Sequence, residues 1–188
     1  MKQGNRENLR EKAGNFLELF TVLSVGFVLL ASEVYRYVYV SRDFWGSTML
    51  IPIFVSSYYT NFLCTFPVNF EYYHKKTKVV SIITIVSSLI NVGLNYLLIL
   101  RIGMAGAAVA TLISHSLQLT LHYLYVRFAL GGKEYPFPLK MWVGYAAVFA
   151  AVAVASVAAD GLWLACWGLG AAVGLWELLR IRKRKVLI

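Results

Sequence analysis

The sequence predicts an all-α, polytopic membrane protein: a bundle of six transmembrane helices with both termini in the cytoplasm. Three observations predict it. Hydrophobic residues make up 59% of the 188-residue chain and charged residues only 14%, against about 25% charged in an ordinary soluble domain. The apolar residues gather into repeated stretches of about 20, the length a helix needs to cross a hydrocarbon core of about 30 Å. The basic residues are sorted: every Lys and Arg except Arg36, Arg42 and Arg101 falls in the N-terminal segment, in the alternate loops and the span ends that adjoin them, or at the C-terminal end. Those segments share one side of the membrane, and the positive-inside bias makes that side the cytoplasm. The net charge of +9 is therefore a topology signal, with anionic lipid headgroups the alternative partner for the terminal RIRKRK run. A nucleic-acid partner is not expected.

Six spans follow, at 16–39, 49–70, 79–100, 104–128, 141–159 and 161–180. They group into a cytoplasmic juxtamembrane segment (1–14), a four-helix part (15–130) and two additional helices with the basic tail (131–188). Residues 1–14 are polar with mixed charge, suited to a partly helical segment at the headgroups, and no cleavable signal peptide is expected there. The first span carries Glu18 near its inner end and Glu33 and Arg36 near its outer end. The latter two are three residues apart, so they share a helix face and can pair. Ionisable groups within a span are costly and usually face a bundle interior or a watery cavity; snorkelling at the interface among Tyr35, Tyr37 and Tyr39 is the plainer reading.

The second span has Pro52 and Pro67 near its ends and a polar belt at Tyr58, Tyr59, Thr60 and Asn61. It leads into an inside loop, EYYHKKTK. The third span places Asn91 and Asn95 on one face. After a turn at Arg101–Gly103 the fourth opens with Gly103, Ala105, Gly106, Ala107, Ala108 and Ala110, small residues that let two helices approach closely where lipid offers no hydrophobic drive to associate. His115, Gln118 and His122, at i, i+3 and i+7, form a polar stripe on the fourth span. Interhelical hydrogen bonds and a protonation switch are its two readings; histidines two turns apart do not make a metal site by themselves. The fifth and sixth spans are rich in Ala, Val and Gly, with Trp142, Trp163, Trp167 and Trp176 partly at interface depth.

Several classes of chemistry have no signal. Cys64 and Cys166 lie in apolar spans without metal-ligand spacing. No phosphate-binding glycine loop and no nucleophile–base set is present. Neither enzymatic activity, a metal nor a cofactor is expected.

The run from Tyr72 to Arg127 resembles part of the polysaccharide-export and oligosaccharide (O-antigen-type) flippases. These belong to the superfamily that also holds multidrug and toxin extrusion antiporters and lipid II flippases. The lysine loop YYHKKTK, Asn91-x-x-x-Asn95 with Leu94 before the second Asn, and the turn IGMAGAAVAT at 102–111 carry the resemblance. The first and second spans, with the short outer loop between them, fit the preceding helix pair, so the likeness covers about residues 15–128. It implies the last six helices of a 14-helix flippase, with the N-terminal bundle supplied by the same gene or by a partner chain. It further implies movement of an undecaprenyl-linked oligosaccharide across a bacterial inner membrane, driven by an ion gradient or the membrane potential. The candidate cavity residues are Glu33, Arg36, Tyr58, Asn61, Asn91, Asn95, His115 and Gln118, with Arg36 the candidate phosphate contact. A cation-coupled multidrug exporter and a non-transporting membrane scaffold are the alternatives.

Overall fold

A computed structural model describes residues 3–38 and 50–131, together with Tyr135, Phe137 and isolated helical positions between Val143 and Val154. It is all-helical over those residues. Four helices follow in order: α1 (Gln3–Val38), α2 (Leu50–Tyr73), α3 (Thr77–Ile102) and α4 (Met104–Phe128). Three of them, α1 over Asn8–Ala31, α3 and α4, are long and apolar enough to cross a membrane. The chain is therefore read as a multi-pass membrane protein. The fifth and sixth spans expected at 141–159 and 161–180, with Cys166, lie outside the described residues apart from those isolated positions.

The helices match the expected spans with informative differences. α1 has 36 residues, about 54 Å at 1.5 Å per residue, so its first turns extend beyond the hydrocarbon and take up most of the 1–14 segment. It buries Ala13, Leu17, Thr21, Ser24, Val25 and Val28 along one stripe, while Phe16, Leu19, Leu23, Phe27 and Leu30 stay exposed. A helix apolar on both faces belongs in lipid rather than water. α2 is long enough to span but stands outside that set, its middle reading SSYYTN. It compensates by packing on two neighbours.

α4 packs against α2 on one side and α3 on the other, α1 packs on α2, and α2 touches α3 only lightly. The core lies between α1 and α2, around Leu17, Val28, Tyr59, Leu63 and Phe66, and is closed from the segment after α4 by Phe137. Phe20 stacks on Phe62 at 3.9 Å between ring centroids. Phe66 meets Phe137 edge-on at 5.2 Å.

Two turns set the geometry. The loop after α2, expected on the inside, is shorter than EYYHKKTK suggests, because Glu71, Tyr72 and Tyr73 remain helical and only His74–Lys76 turn the chain. The Lys76 amide donates to the Glu71 carbonyl at 2.9 Å and closes α2. At the opposite end of α3, α3 and α4 are separated by Gly103 alone, at φ 61°, ψ −142°, a conformation that only glycine enters without steric cost. Gly106 then lies directly on the Leu98 carbonyl of α3. Gly106, Ala108 and Ala110 are buried, so the small residues expected to permit close packing sit in tight contact at this end of the hairpin.

α3 buries only Val80 and Ser87 and exposes Ile82, Ile85, Leu89, Val92, Leu97 and Leu100. In water such a face would drive association; lipid tails are as apolar as leucine and impose no such penalty.

Candidate functional site

α2 is the helix that departs from the lipid-facing pattern. Its buried face carries Ser57, Tyr59, Leu63, Cys64, Phe66, Pro67, Phe70 and Glu71. The opposite face exposes Tyr58, Asn61, Thr65, Asn69 and Tyr72. Steps of three and four residues keep these five in register on a 3.6-residue helix. From Tyr58 to Tyr72 the stripe runs about 21 Å, two thirds of a hydrocarbon core. Thr65 donates its hydroxyl to the Phe62 carbonyl at 2.7 Å and is satisfied within the helix. The amides of Asn61 and Asn69 are not so placed, and moving an amide from water into hydrocarbon costs about 4 kcal/mol or more. A face of this kind belongs against water or against another polar surface.

Behind the stripe, α2 and α4 run parallel and exchange polar contacts. Nδ1 of His115 donates to the Ser57 carbonyl at 2.9 Å and lies 3.1 Å from the Ser57 hydroxyl. The Tyr58 and His115 rings are tilted at 6.4 Å, which joins the outer part of the stripe to α4. Toward the inner end, Nδ1 of His122 is 2.8 Å from Oε1 of Glu71, and both side chains are fully buried. On the α1 side Thr21 donates to the Leu17 carbonyl at 2.6 Å. Its oxygen therefore accepts from the Tyr59 hydroxyl, 2.8 Å away.

The α3–α4 seam holds a second polar set. Asn95 donates to Oδ1 of Asn91 at 2.9 Å, and Asn91 donates to the Ser114 hydroxyl at 3.2 Å. Ser114 in turn donates to the Ala110 carbonyl at 2.8 Å. Gln118 reaches Thr84 of α3 at 3.5 Å.

The sequence-based candidates thus divide. Tyr58 and Asn61 share the exposed α2 face, and His115 stands beside Tyr58. Asn91 and Gln118 bond across the other seam of α4 as helix–helix contacts, and Asn95 bonds to Asn91 within α3. Glu33 and Arg36 fall in the last turns of α1, and their side chains lie outside the described residues. Sequence reading missed Thr65 and Asn69, which extend the stripe, and Glu71, assigned to a loop. Two patterns carry the missing signal. Tyr58, Asn61, Thr65, Asn69 and Tyr72 keep helical register, and Ser57, Cys64 and Glu71 recur every seven residues, as His115 and His122 do on α4.

A groove of about 500 Å³ opens between the first half of α1 and the last half of α2, lined mainly by Phe16, Phe62, Phe66 and Phe70, with Lys12, Thr65, Asn69 and Tyr73 adding polar groups. Among the described residues no three His, Cys, Asp or Glu side chains gather to hold a metal ion. Tyr135, after α4, packs edge-on to Phe70 at 5.2 Å and Phe137 at 5.3 Å. Burial, and then the neighbouring Tyr123, Cys64 and Glu71, push its hydroxyl above the usual tyrosine range.

Compared with known proteins, the chain matches no family model, no curated sequence and no solved structure.

Proposed function

We propose that this chain is part of a membrane transporter that moves a lipid-linked oligosaccharide across a bacterial inner membrane for surface-polysaccharide synthesis. The exposed polar stripe of α2 forms part of the cavity wall. The observation that carries the reading is the 21 Å run of Tyr58, Asn61, Thr65, Asn69 and Tyr72 on one face of a helix held between α1 and α4. Hydroxyls and amides spaced along a wall suit sugar hydroxyls, which both donate and accept. The lipid tail stays in the bilayer beside faces such as that of α3. The resemblance of residues 15–128 to oligosaccharide flippases points the same way.

In this reading the chain spans the membrane six times with both termini inside. The opposite cavity wall comes from an N-terminal helix bundle, encoded in the same gene or in a partner. No bond is made or broken: the work is alternating exposure of one cavity. A multidrug exporter of the same superfamily is the second reading, favoured by the buried acid Glu71; the exposed ladder of amides and hydroxyls on α2 favours the oligosaccharide.

The test is to replace Asn61 and Asn69 together by Leu at the chromosomal locus. The measurement is the fraction of lipid-linked oligosaccharide facing outward in membranes from those cells. Loss of the amide contacts slows transfer by about tenfold, the effect of ~1.4 kcal/mol at the barrier, while Leu89→Ala on the α3 lipid face leaves it unchanged. Equal transfer in all three strains overturns the proposal.

A further inference from the structure

Glu71 and His122 are the most deeply buried ionisable pair among the described residues, each at 0% side-chain exposure. Their 2.8 Å contact uses only half of their polar capacity. Oε2 of Glu71 and Nε2 of His122 are both buried and make no hydrogen bond. A pair kept for packing alone would be expected to have these atoms satisfied, since orphaned buried polar atoms are among the costliest features of an interior. This pair retains one free acceptor oxygen and one free ring nitrogen on groups that both exchange protons.

We propose that Glu71 and His122 form one proton-binding site, and that its occupancy controls the packing of α2 against α4. The chemistry is one proton gained or lost. With a neutral imidazole beside a carboxylate the buried pair carries a net charge of −1. A proton from water, placed on the ring or on the carboxyl oxygen, makes the pair neutral, and the hydrogen bond between Nδ1 and Oε1 survives either way. A net charge held in a dry seam is strongly disfavoured and a neutral, bonded pair is not. The closed α2–α4 seam therefore binds this proton, and its release favours a parted seam that water reaches. The site stands whatever cargo the chain carries.

The surroundings fit such a role. Glu71 lies in the last turn of α2, and its own carbonyl takes the Lys76 amide of the turn to α3, so movement of this residue is transmitted to the loop. Tyr135 folds over the inner end of the seam, its ring against Phe70 and Tyr123, and lies within electrostatic reach of Glu71. It acts as a cover between the pair and the inner water.

The other titratable or charged groups come from each packed element. Cys64 of α2 and Tyr135 are within electrostatic reach of Glu71, and Tyr123 of α4 is within reach of Tyr135. His74, Lys75 and Lys76 follow Glu71 in the turn, Lys78 stands in the first turn of α3, and Lys12 of α1 lines the groove that Phe70 and Phe137 also line.

The experiment places spin labels at Tyr73→Cys and Phe128→Cys, exposed positions at the inner ends of α2 and α4. It uses the full chain with Cys64→Ala and Cys166→Ala, reconstituted in liposomes, and reads the distance between labels at about pH 5 and about pH 9. The wild-type pair predicts a longer distance at the alkaline pH by about 2 Å or more, the size of a helix shift at an interface. With Glu71→Gln and His122→Gln together, an uncharged pair that can still bond but exchanges no proton, the distance is independent of pH. Should that variant not fold, Glu71→Gln alone replaces it, and its distance changes less between the two pH values than that of the wild type, because only one exchanging group remains. An unchanged wild-type distance overturns the proposal, as does a shift of equal size in the variant.

Discussion

Gly106 offers the sharpest prediction because two effects of opposite sign compete there. An added Cβ would lie 2.8 Å from the Ile99 amide nitrogen and closer still to the Leu98 carbonyl, all of it backbone. Ordinary contact begins near 3.4 Å, so Gly106→Ala forces α3 and α4 apart by about 1 Å at this point. Displacement of this size lengthens the Asn91–Ser114 bond, now 3.2 Å, and the Gln118–Thr84 bond, now 3.5 Å, beyond useful range. The overpacking costs about 1–3 kcal/mol and each lost interhelical bond about 0.6 kcal/mol. Against this, alanine is favoured over glycine in a helix by about 1 kcal/mol.

The net expectation is destabilisation by about 1–3 kcal/mol, read from unfolding in mixed detergent micelles by far-ultraviolet circular dichroism. Gly93→Ala is the control. Nothing lies within 4 Å of its added methyl, so only the propensity acts and the variant is equally or more stable than wild type. If Gly106→Ala is also as stable as wild type or more so, the tight α3–α4 approach is refuted.

Glu71→Ala leaves the buried His122 ring without its hydrogen-bond partner and destabilises by about 1–3 kcal/mol, whereas Glu71→Gln retains an amide partner and costs clearly less in the same unfolding assay. Thr21→Val and Tyr59→Phe remove the two sides of a 2.8 Å hydrogen bond; each costs about 1 kcal/mol. The double variant costs less than the two together, which a double-mutant cycle measures. Tyr135 is held protonated by burial, above its ordinary value of 10.0. The folded state therefore binds its proton more tightly than the unfolded chain, and stability falls as pH rises past that value. Tyr135→Phe lacks this part of the alkaline loss, as unfolding midpoints between about pH 9 and pH 11 will record.

Much of the hairpin was legible in the sequence. α4 begins and ends where the expected span does, because Gly103 permits the turn and the small residues after it leave room for Leu98. Asn91 and Asn95 share a face, as four-residue spacing requires, and they bond to each other and to Ser114. His122 makes an interhelical bond, one of its two readings. Its partner was not legible, because Glu71 stands beside a run of lysines and so reads as loop. The helix continues through Tyr73, and that one extra turn aims Glu71 at α4 instead of at the headgroups.

The α2 stripe was half legible. Tyr58 and Asn61 stand out in a belt of polar residues, but the belt alone does not tell inward from outward. Tertiary packing decides it: Tyr59 meets Thr21, Ser57 meets His115, and Tyr58 and Asn61 are left on the open face. Asn69 is hidden in sequence by the aromatic residues around it, and only the register with Asn61 and Thr65 brings it into the stripe.

The measurement that bears most directly on the account is water access along that stripe. Single cysteines at Asn61, Thr65 and Asn69, in chains carrying Cys64→Ala and Cys166→Ala, are exposed in native membranes to a charged, membrane-impermeant maleimide. Leu89→Cys and Val92→Cys on the lipid face of α3 serve as references. The account predicts rapid labelling at the three α2 positions and slow labelling at both references. Labelling at Asn61, Thr65 and Asn69 as slow as at Leu89 and Val92 would contradict it.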